Sequence, residues 1–326
     1  MVAYHYERGK HPQTGWDVIS LYCTNDTPAE RCVASISPEK GANLLSFQVG
    51  GTEYLYGIAQ PGDTLMLLGT PVLYPTPNRV RNAHFVFDGR TFRFPANNGP
   101  HFLHGLVRDV PWACDTPTVG PNGISVTARM AMAPGSGPYE LFPIRNTLSL
   151  TLTLRPSTVR FDFTVQNDDL ERRLPFGLAI HPYFRILGPR ESVRLQVPAQ
   201  KWMEAVDLIP TGRLLDIEEG PADLRQPMSL AQLDLDDVFW GLDEAHPQVI
   251  YYDDLGKKVT LRASDFFTHS VIYTPVGRPF FCVENQSCST DAHNLYAKGF
   301  TEAAHLTVLD PGESQTAWIE FQISEQ

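Results

Sequence analysis

The 326-residue sequence has little of what marks secreted, membrane-spanning or nucleic-acid-binding chains. Its five cysteines, Cys23, Cys32, Cys114, Cys282 and Cys288, include no CxxC pair, and their odd number leaves at least one thiol free. A disulfide framework is disfavoured, and reduced thiols are expected. No apolar h-region follows the opening MVAYHYERGKHPQTG, and no later run approaches membrane-spanning length. A cytoplasmic protein with no membrane partner is expected. A basic excess is missing too: 26 Lys and Arg against 37 Asp and Glu give a formal net charge of −11. Such a field repels polyanions, so nucleic acid and anionic membranes are poor partners and a neutral small molecule is an easy one. Long segments with a 3.6-residue period are absent, and only Pro221 to Leu233 suggests a short helix. There is no Ser/Gly-rich linker, charge block, internal repeat or low-complexity tract. One domain over residues 1–326 is therefore expected, with a tandem of two ordinary sandwiches as the alternative.

What is present is a period of two. Leu148, Leu150, Leu152 and Leu154 alternate with Ser and Thr; after RPST, Val159, Phe161, Phe163 and Val165 alternate with Arg160, Asp162, Thr164 and Gln166. That pattern predicts an antiparallel hairpin with one buried face. The alternation recurs at Val193, Leu195 and Val197, at Val259 and Leu261, and at Ala317, Ile319, Phe321 and Ile323. Asp88-Gly89 and Gly50-Gly51, each between strand-like runs, predict tight hairpin turns. The 27 prolines and 24 glycines are spread along the chain as turn punctuation. The expected fold is all-β: two large antiparallel sheets stacked as a β-sandwich.

One charge is out of place in this scheme. Glu284 ends the apolar run of Phe280 to Asn294, FFCVENQSCSTDAHN, which reads as a buried strand. A buried carboxylate costs several kcal/mol unless it is paired, solvated in a cleft or kept for proton transfer. His104 in HFLHG and His181 in GLAIHPYF each end an apolar segment and offer partners for general acid-base chemistry. Cys282 and Cys288 flank Glu284 and suggest a metal, but Cys, Glu and Cys at this spacing match no zinc pattern.

Longer stretches resemble one family. PNRVRNAHFVFDGRTFRFPANNGPHFLHG, then AIHPYF, LDLDDVF, VENQSCSTDAHN and LDPGESQTAWIEF, are similar in kind and order to the motifs of the aldose 1-epimerases (galactose mutarotases). The resemblance runs from Asn78 to the C-terminus, whereas Met1 to Thr76 carries compatible strands without a diagnostic motif. It implies a galactose mutarotase-like supersandwich, with Glu284 as catalytic base and His181 as general acid. It also implies that His104, Arg79 and Asp236 bind the sugar. The family's Asp-His-x-Phe motif reads Asp236-Asp237-Val238-Phe239 here, which leaves Asp236 and Asp237 as alternatives. Pro182 stands where many members have Ser after the His, and Asn285 where many have Pro after the Glu. Both departures bear on substrate preference.

The implied reaction interconverts the α and β anomers of a free aldose such as glucose or galactose. It needs no metal and no cofactor, and no oligomeric state beyond monomer or homodimer is implied. The alternatives are a hexose-6-phosphate 1-epimerase, for which Arg81, on the same side of an extended strand as Arg79, and Arg108 could join Arg79 around a phosphate, and a non-catalytic carbohydrate-binding protein. Trp112, Trp240, Phe239 and Tyr183 could stack on a sugar face, although core packing is the commoner fate of aromatics in a sandwich. A metal enzyme using His101, His104 and Glu284 is disfavoured, because residues three apart on a strand point to opposite faces. A glycoside hydrolase using Glu284 and Asp236 would leave both histidines without a task.

Overall fold

The long alternating segments pair as their pattern predicts. In the computed structural model, which describes residues 2–57 and 68–326, Asn146–Arg155 and Thr158–Asn167 form a hairpin. Leu148 lies opposite Val165, Leu150 opposite Phe163 and Leu152 opposite Phe161, all buried. Each such side chain contributes about 1.5–3 kcal/mol when fully buried. A one-residue slip would turn all six outward, so the register is strongly fixed.

Ser314–Glu325 pairs with this hairpin, placing Ile319 opposite Phe161, and Lys257–Ala263 pairs with Ser314–Glu325 in turn. Among the described residues these strands belong to a ten-stranded antiparallel sheet. An eight-stranded sheet faces it. That sheet runs from Ile209–Asp216 through Lys201–Val206, Asp236–Trp240, His269–Tyr273 and Phe280–Gln286 to Ala179–Ile180 and Val72–Leu73, with Tyr183–Arg185 also on Phe280–Gln286. Phe184 of the second sheet packs on Phe321 of the first, their ring centroids 5.4 Å apart, and the main core fills the space between the sheets. The expected sandwich is thus present. A five-stranded sheet, from Ala3–Lys10 to Thr52–Glu53, joins the second sheet through bridges of Leu44 to Thr70 and Leu55 to Phe184. Residues 58–67 of the Met1 to Thr76 expectation lie outside the described residues.

Both predicted tight turns form. Asp88 and Gly89 join His84–Phe87 to Arg90–Arg93 with φ of 47° and 72°, and Gly50 and Gly51 join Asn43–Val49 to Thr52–Glu53 with φ of 58° and 82°. Positive φ at both central residues matches the twist of the flanking strands.

The helix expectation needs correction. Pro221 to Leu233 holds a two-residue strand, Met228–Ser229, and a 3₁₀ turn at Leu230–Gln232 instead, because Pro227 blocks helical bonding while Leu224, Leu230 and Leu233 reach the core. Among the described residues the α-helices are Gly137–Leu141, Ala292–Ala297 and Thr301–Ala304, each too short to show a period. Among the described residues no helix is long and apolar enough to cross a membrane.

Candidate active site

All seven residues of Phe280–Gln286 are buried, and alternation splits them between two environments. Phe281 and Val283 enter the main core, whereas Phe280 and Cys282 form a smaller cluster with Leu68 and Tyr183 on the other face. Glu284 shares that second face. Its carboxylate is therefore carried away from the apolar interior toward a polar wall, although only 1% of the residue is exposed.

Strand register delivers the partner. Ala179 lies opposite Gln286, and Tyr183 lies opposite Cys282, so His181 falls on the rung that faces Glu284. Directly opposed residues put their side chains on one face, within reach of each other. The His181 Nε2 is 3.2 Å from the Glu284 Oε1, and the other carboxylate oxygen accepts from Gln286 Nε2 at 3.3 Å. Tyr183 stacks on the His181 ring at 4.5 Å, and Pro71 O accepts the His181 backbone N–H at 3.0 Å. The imidazole is thus held on two sides.

His104 reaches the same place from a loop. Its φ is 69°, an unusual conformation for a residue with a side chain, and its N–H donates to Asn78 O at 2.9 Å. The next residue, Gly105, also has positive φ, and a Cβ there would sit 2.4 Å from Tyr74 O. These backbone constraints set the His104 ring edge-on to His181, with centroids 5.0 Å apart. Arg79, on the short strand Arg79–Val80, donates to Asn78 Oδ1 at 3.1 Å and to Asn98 Oδ1 at 3.2 Å, and lies 3.6 Å from Asp236 Oδ2.

Alternation also separates the two aspartates. Asp236 lies on the cleft face with Arg79, while Asp237 points to the opposite face and accepts from Trp202 Nε1 at 3.1 Å. Arg81 does not follow the strand parity expected of it. The chain leaves the strand after Val80 through a 3₁₀ turn with Asn82 at φ 53°, and Arg81 turns toward Asp291, 3.8 Å away. His101 accepts from the Asn82 N–H and is not set against Glu284. Trp112 and Phe239 are core residues, so of the aromatic candidates Tyr183 is the one in contact with the histidines.

Burial dominates the electrostatics. It pushes the Glu284 carboxyl well above its usual range; Asp236 adds to this, while Gln286 and Arg79 oppose it. It pushes His181 down to about 3, and holds His104 well below the ordinary imidazole value with further help from His181, Arg108 and Arg79. Burial raises Asp236 as well, against the pull of Arg79. The Glu284–His181 contact at 3.2 Å therefore joins a pair that resists carrying charge, rather than a ready ion pair. The Nδ1 atoms of His104 and His181 have no hydrogen-bond partner among the described residues. A ligand hydroxyl at either nitrogen would remove a cost of about 1–3 kcal/mol.

The structure thus gathers Glu284, His181, His104, Arg79 and Asp236. It adds Asn78, Asn98 and Gln286, which sequence reasoning did not assign to sugar contact. Asn78 and Asn98 stood inside quoted motifs, yet an Asn in a loop gives no signal of what it will hold.

The sequence profile described as aldose 1-epimerase matches residues 26–322. Galactose mutarotase of Sus scrofa is 28% identical over 160 residues, which cover 48% of this chain and 44% of that protein. The matched region thus spans less than half the length of that relative. A galactose mutarotase-like protein from Clostridium acetobutylicum has the same fold with a TM-score of 0.84 at 17% identity, covering 100% of this chain and 99% of its own. Galactose 1-epimerase from Lactobacillus acidophilus NCFM gives a TM-score of 0.77 at 15% identity, covering 100% and 99%. At these identities the solved structures speak for the all-β fold alone. The profile, however, covers most of the sequence, and on that ground the chain belongs to the aldose 1-epimerase family.

Proposed function

We propose that the protein is an aldose 1-epimerase that opens and recloses the ring of a free aldose, and that residues 1–326 act as one domain around the Glu284 site. The observation that carries this reading is the buried Glu284–His181 rung, with Oε1 and Nε2 3.2 Å apart. In a cyclic hemiacetal the hydroxyl oxygen and the ring oxygen are both bonded to C1, and ring opening needs a base at the first and an acid at the second. Glu284 takes the C1 hydroxyl proton, the bond from C1 to the ring oxygen breaks, and its electron pair stays on that oxygen. The oxygen takes a proton from His181. Rotation about the C1–C2 bond presents the other carbonyl face, and reversal of the transfers closes the ring as the other anomer.

The proton count suits a buried pair. One proton is shared between the two residues, so the site's net charge is the same before and after ring opening. Opening leaves Glu284 protonated and His181 neutral, the state that burial favours. Positioned acid-base groups of this kind contribute ~10²–10⁴-fold in rate. His104, Arg79 and Asp236 supply directional hydrogen bonds that orient the ring.

Arg81 is engaged with Asp291, which supports a free sugar over a phosphorylated one. Arg108 favours the other reading, because its charge is felt at His104 and His181. Polarimetry on freshly dissolved α-glucose and α-galactose, with glucose 6-phosphate compared in the same buffer by an anomer-specific assay, tests both. Faster equilibration of a free hexose is expected. Failure to accelerate any of the three would refute the epimerase reading, and a clear preference for the phosphate would refute only the free-sugar part.

A further inference from the structure

Cys282 is the wall residue that proton transfer leaves without a task. It precedes Glu284 by two positions on one strand and so shares its face, and one ligating atom from each of His181, Cys282 and Glu284 lies within 4.8 Å of the other two. We propose that His181, Cys282 and Glu284 form a binding site for a thiophilic divalent cation of the zinc and cadmium class, and that such an ion switches the site off. Cys288, the other cysteine near Glu284 in sequence, is elsewhere, packed with Ala292, Leu295 and Ala304.

The donor set selects the ion. Imidazole nitrogen, thiolate sulfur and carboxylate oxygen are all ligands of zinc, whereas magnesium and calcium need oxygen ligands in greater number. With metal–ligand bonds of about 2.0–2.3 Å, tetrahedral donors stand roughly 3.3–3.6 Å apart. The donor atoms lie within 4.8 Å of one another, so binding draws them closer, with the fourth position left for water or a sugar hydroxyl. Charge favours occupancy as well, because a dication with one thiolate and one carboxylate is formally neutral in a place where an isolated charge is costly.

The balance is simple. The ion enters, Cys282 gives up its thiol proton, the Glu284–His181 pair gives up the proton it shares, and two protons leave to solvent. Binding therefore tightens as pH rises. Once bound, the ion uses the lone pairs of Glu284 and of His181 Nε2, the atoms that would move protons. This inhibitory part rests on the proposed epimerase activity, whereas the binding part does not.

The test uses the full chain stripped with EDTA and titrated with Cd²⁺, read by the ultraviolet thiolate-to-cadmium charge-transfer band, and with Zn²⁺ or Mg²⁺ in the polarimetric assay. One equivalent of Cd²⁺ should give a band that is missing from Cys282→Ser and Cys282→Ala, while the other four thiols set the background. Zn²⁺ should inhibit and Mg²⁺ should not. Because loss of an outer partner alone typically costs 10–100-fold in metal affinity, loss of the Cys282 ligand should raise the inhibitory Zn²⁺ concentration by at least roughly that factor, with activity in EDTA retained. Glu284→Gln, which keeps the side-chain volume, should weaken Cd²⁺ binding comparably and covers the case in which both Cys282 variants fail to fold. An equal band and equal inhibition with and without Cys282, or no binding by the wild-type protein, would overturn the proposal. A chain with no epimerase activity that still gave the Cys282-dependent band would fail the functional reading and keep the site.

Discussion

Replacing Glu284 with Gln should separate activity from stability and move them in opposite directions. The amide keeps the shape and can still accept from Gln286 Nε2, now 3.3 Å from the carboxylate, but it cannot accept the C1 hydroxyl proton. Loss of the base should lower the maximal rate by ~10²–10⁴, equivalent to about 2.7–5.4 kcal/mol of barrier. Stability should behave otherwise. Burial raises the Glu284 pKa in the folded chain above its unfolded value, so the folded protein holds more protons once pH exceeds the ordinary value of 4.5. That contribution is fully present below pH 4.5 and is lost as pH rises through the folded pKa. Relative to Glu284→Gln, the wild type should therefore lose about 1.4 kcal/mol per pH unit in that window. Denaturant unfolding of both proteins at pH 4.5 and pH 7.5, with polarimetry at pH 7.5, measures all of this. A variant that folds and keeps most of its rate would remove Glu284 as the base. A variant less stable than wild type at pH 7.5 would show that the carboxylate is welcome in its charged form, against the burial argument.

Two further substitutions test the surrounding wall. Asp236→Asn should raise the Michaelis constant for the sugar by roughly 10-fold or more, since a hydrogen bond to a charged group contributes about 1.5–3 kcal/mol; Asp237→Asn should be nearly silent in kinetics, because the amide oxygen can still accept from Trp202. The reverse pattern in steady-state kinetics would exchange their roles. Gly105→Ala places a Cβ 2.4 Å from Tyr74 O at positive φ, so left-handed strain of about 1–2 kcal/mol and overpacking of about 1–3 kcal/mol should both appear in denaturation, with activity lost as His104 shifts. A change below about 0.5 kcal/mol would mean the loop yields freely.

The fold was legible because its signals are local and repeated. The Leu148 and Val159 segments declare their buried face by a strict period of two, and Asp88-Gly89 declares its turn by residue type alone. Glu284 was legible because a charge in an apolar run is an anomaly. What could not be read depends on where strands lie beside one another. Nothing in the sequence sets His181 opposite Glu284, since that follows from a register spanning more than a hundred residues. Arg81 was misplaced for a different reason: parity arguments assume that a strand continues, and Asn82 at positive φ ends it. The helix Ala292–Ala297 hid inside a recognised motif because six residues are too few to display a helical period.

On the proposed mechanism, the Glu284–His181 rung also sets when the protein can first work. Its halves come from strands that are far apart in the sequence, so neither residue has its partner until the later strand has emerged and paired. Contacts of such long range are slow to form, because the intervening chain must be ordered before they reward it. A nascent chain that ends before Phe280–Gln286 would have most of the ten-stranded sheet's sequence, an unpaired edge at Tyr183–Arg185, and no catalysis. Recovery of activity during refolding should therefore report the pairing of Phe280–Gln286 with Tyr183–Arg185, later than the spectroscopic signal of sheet formation.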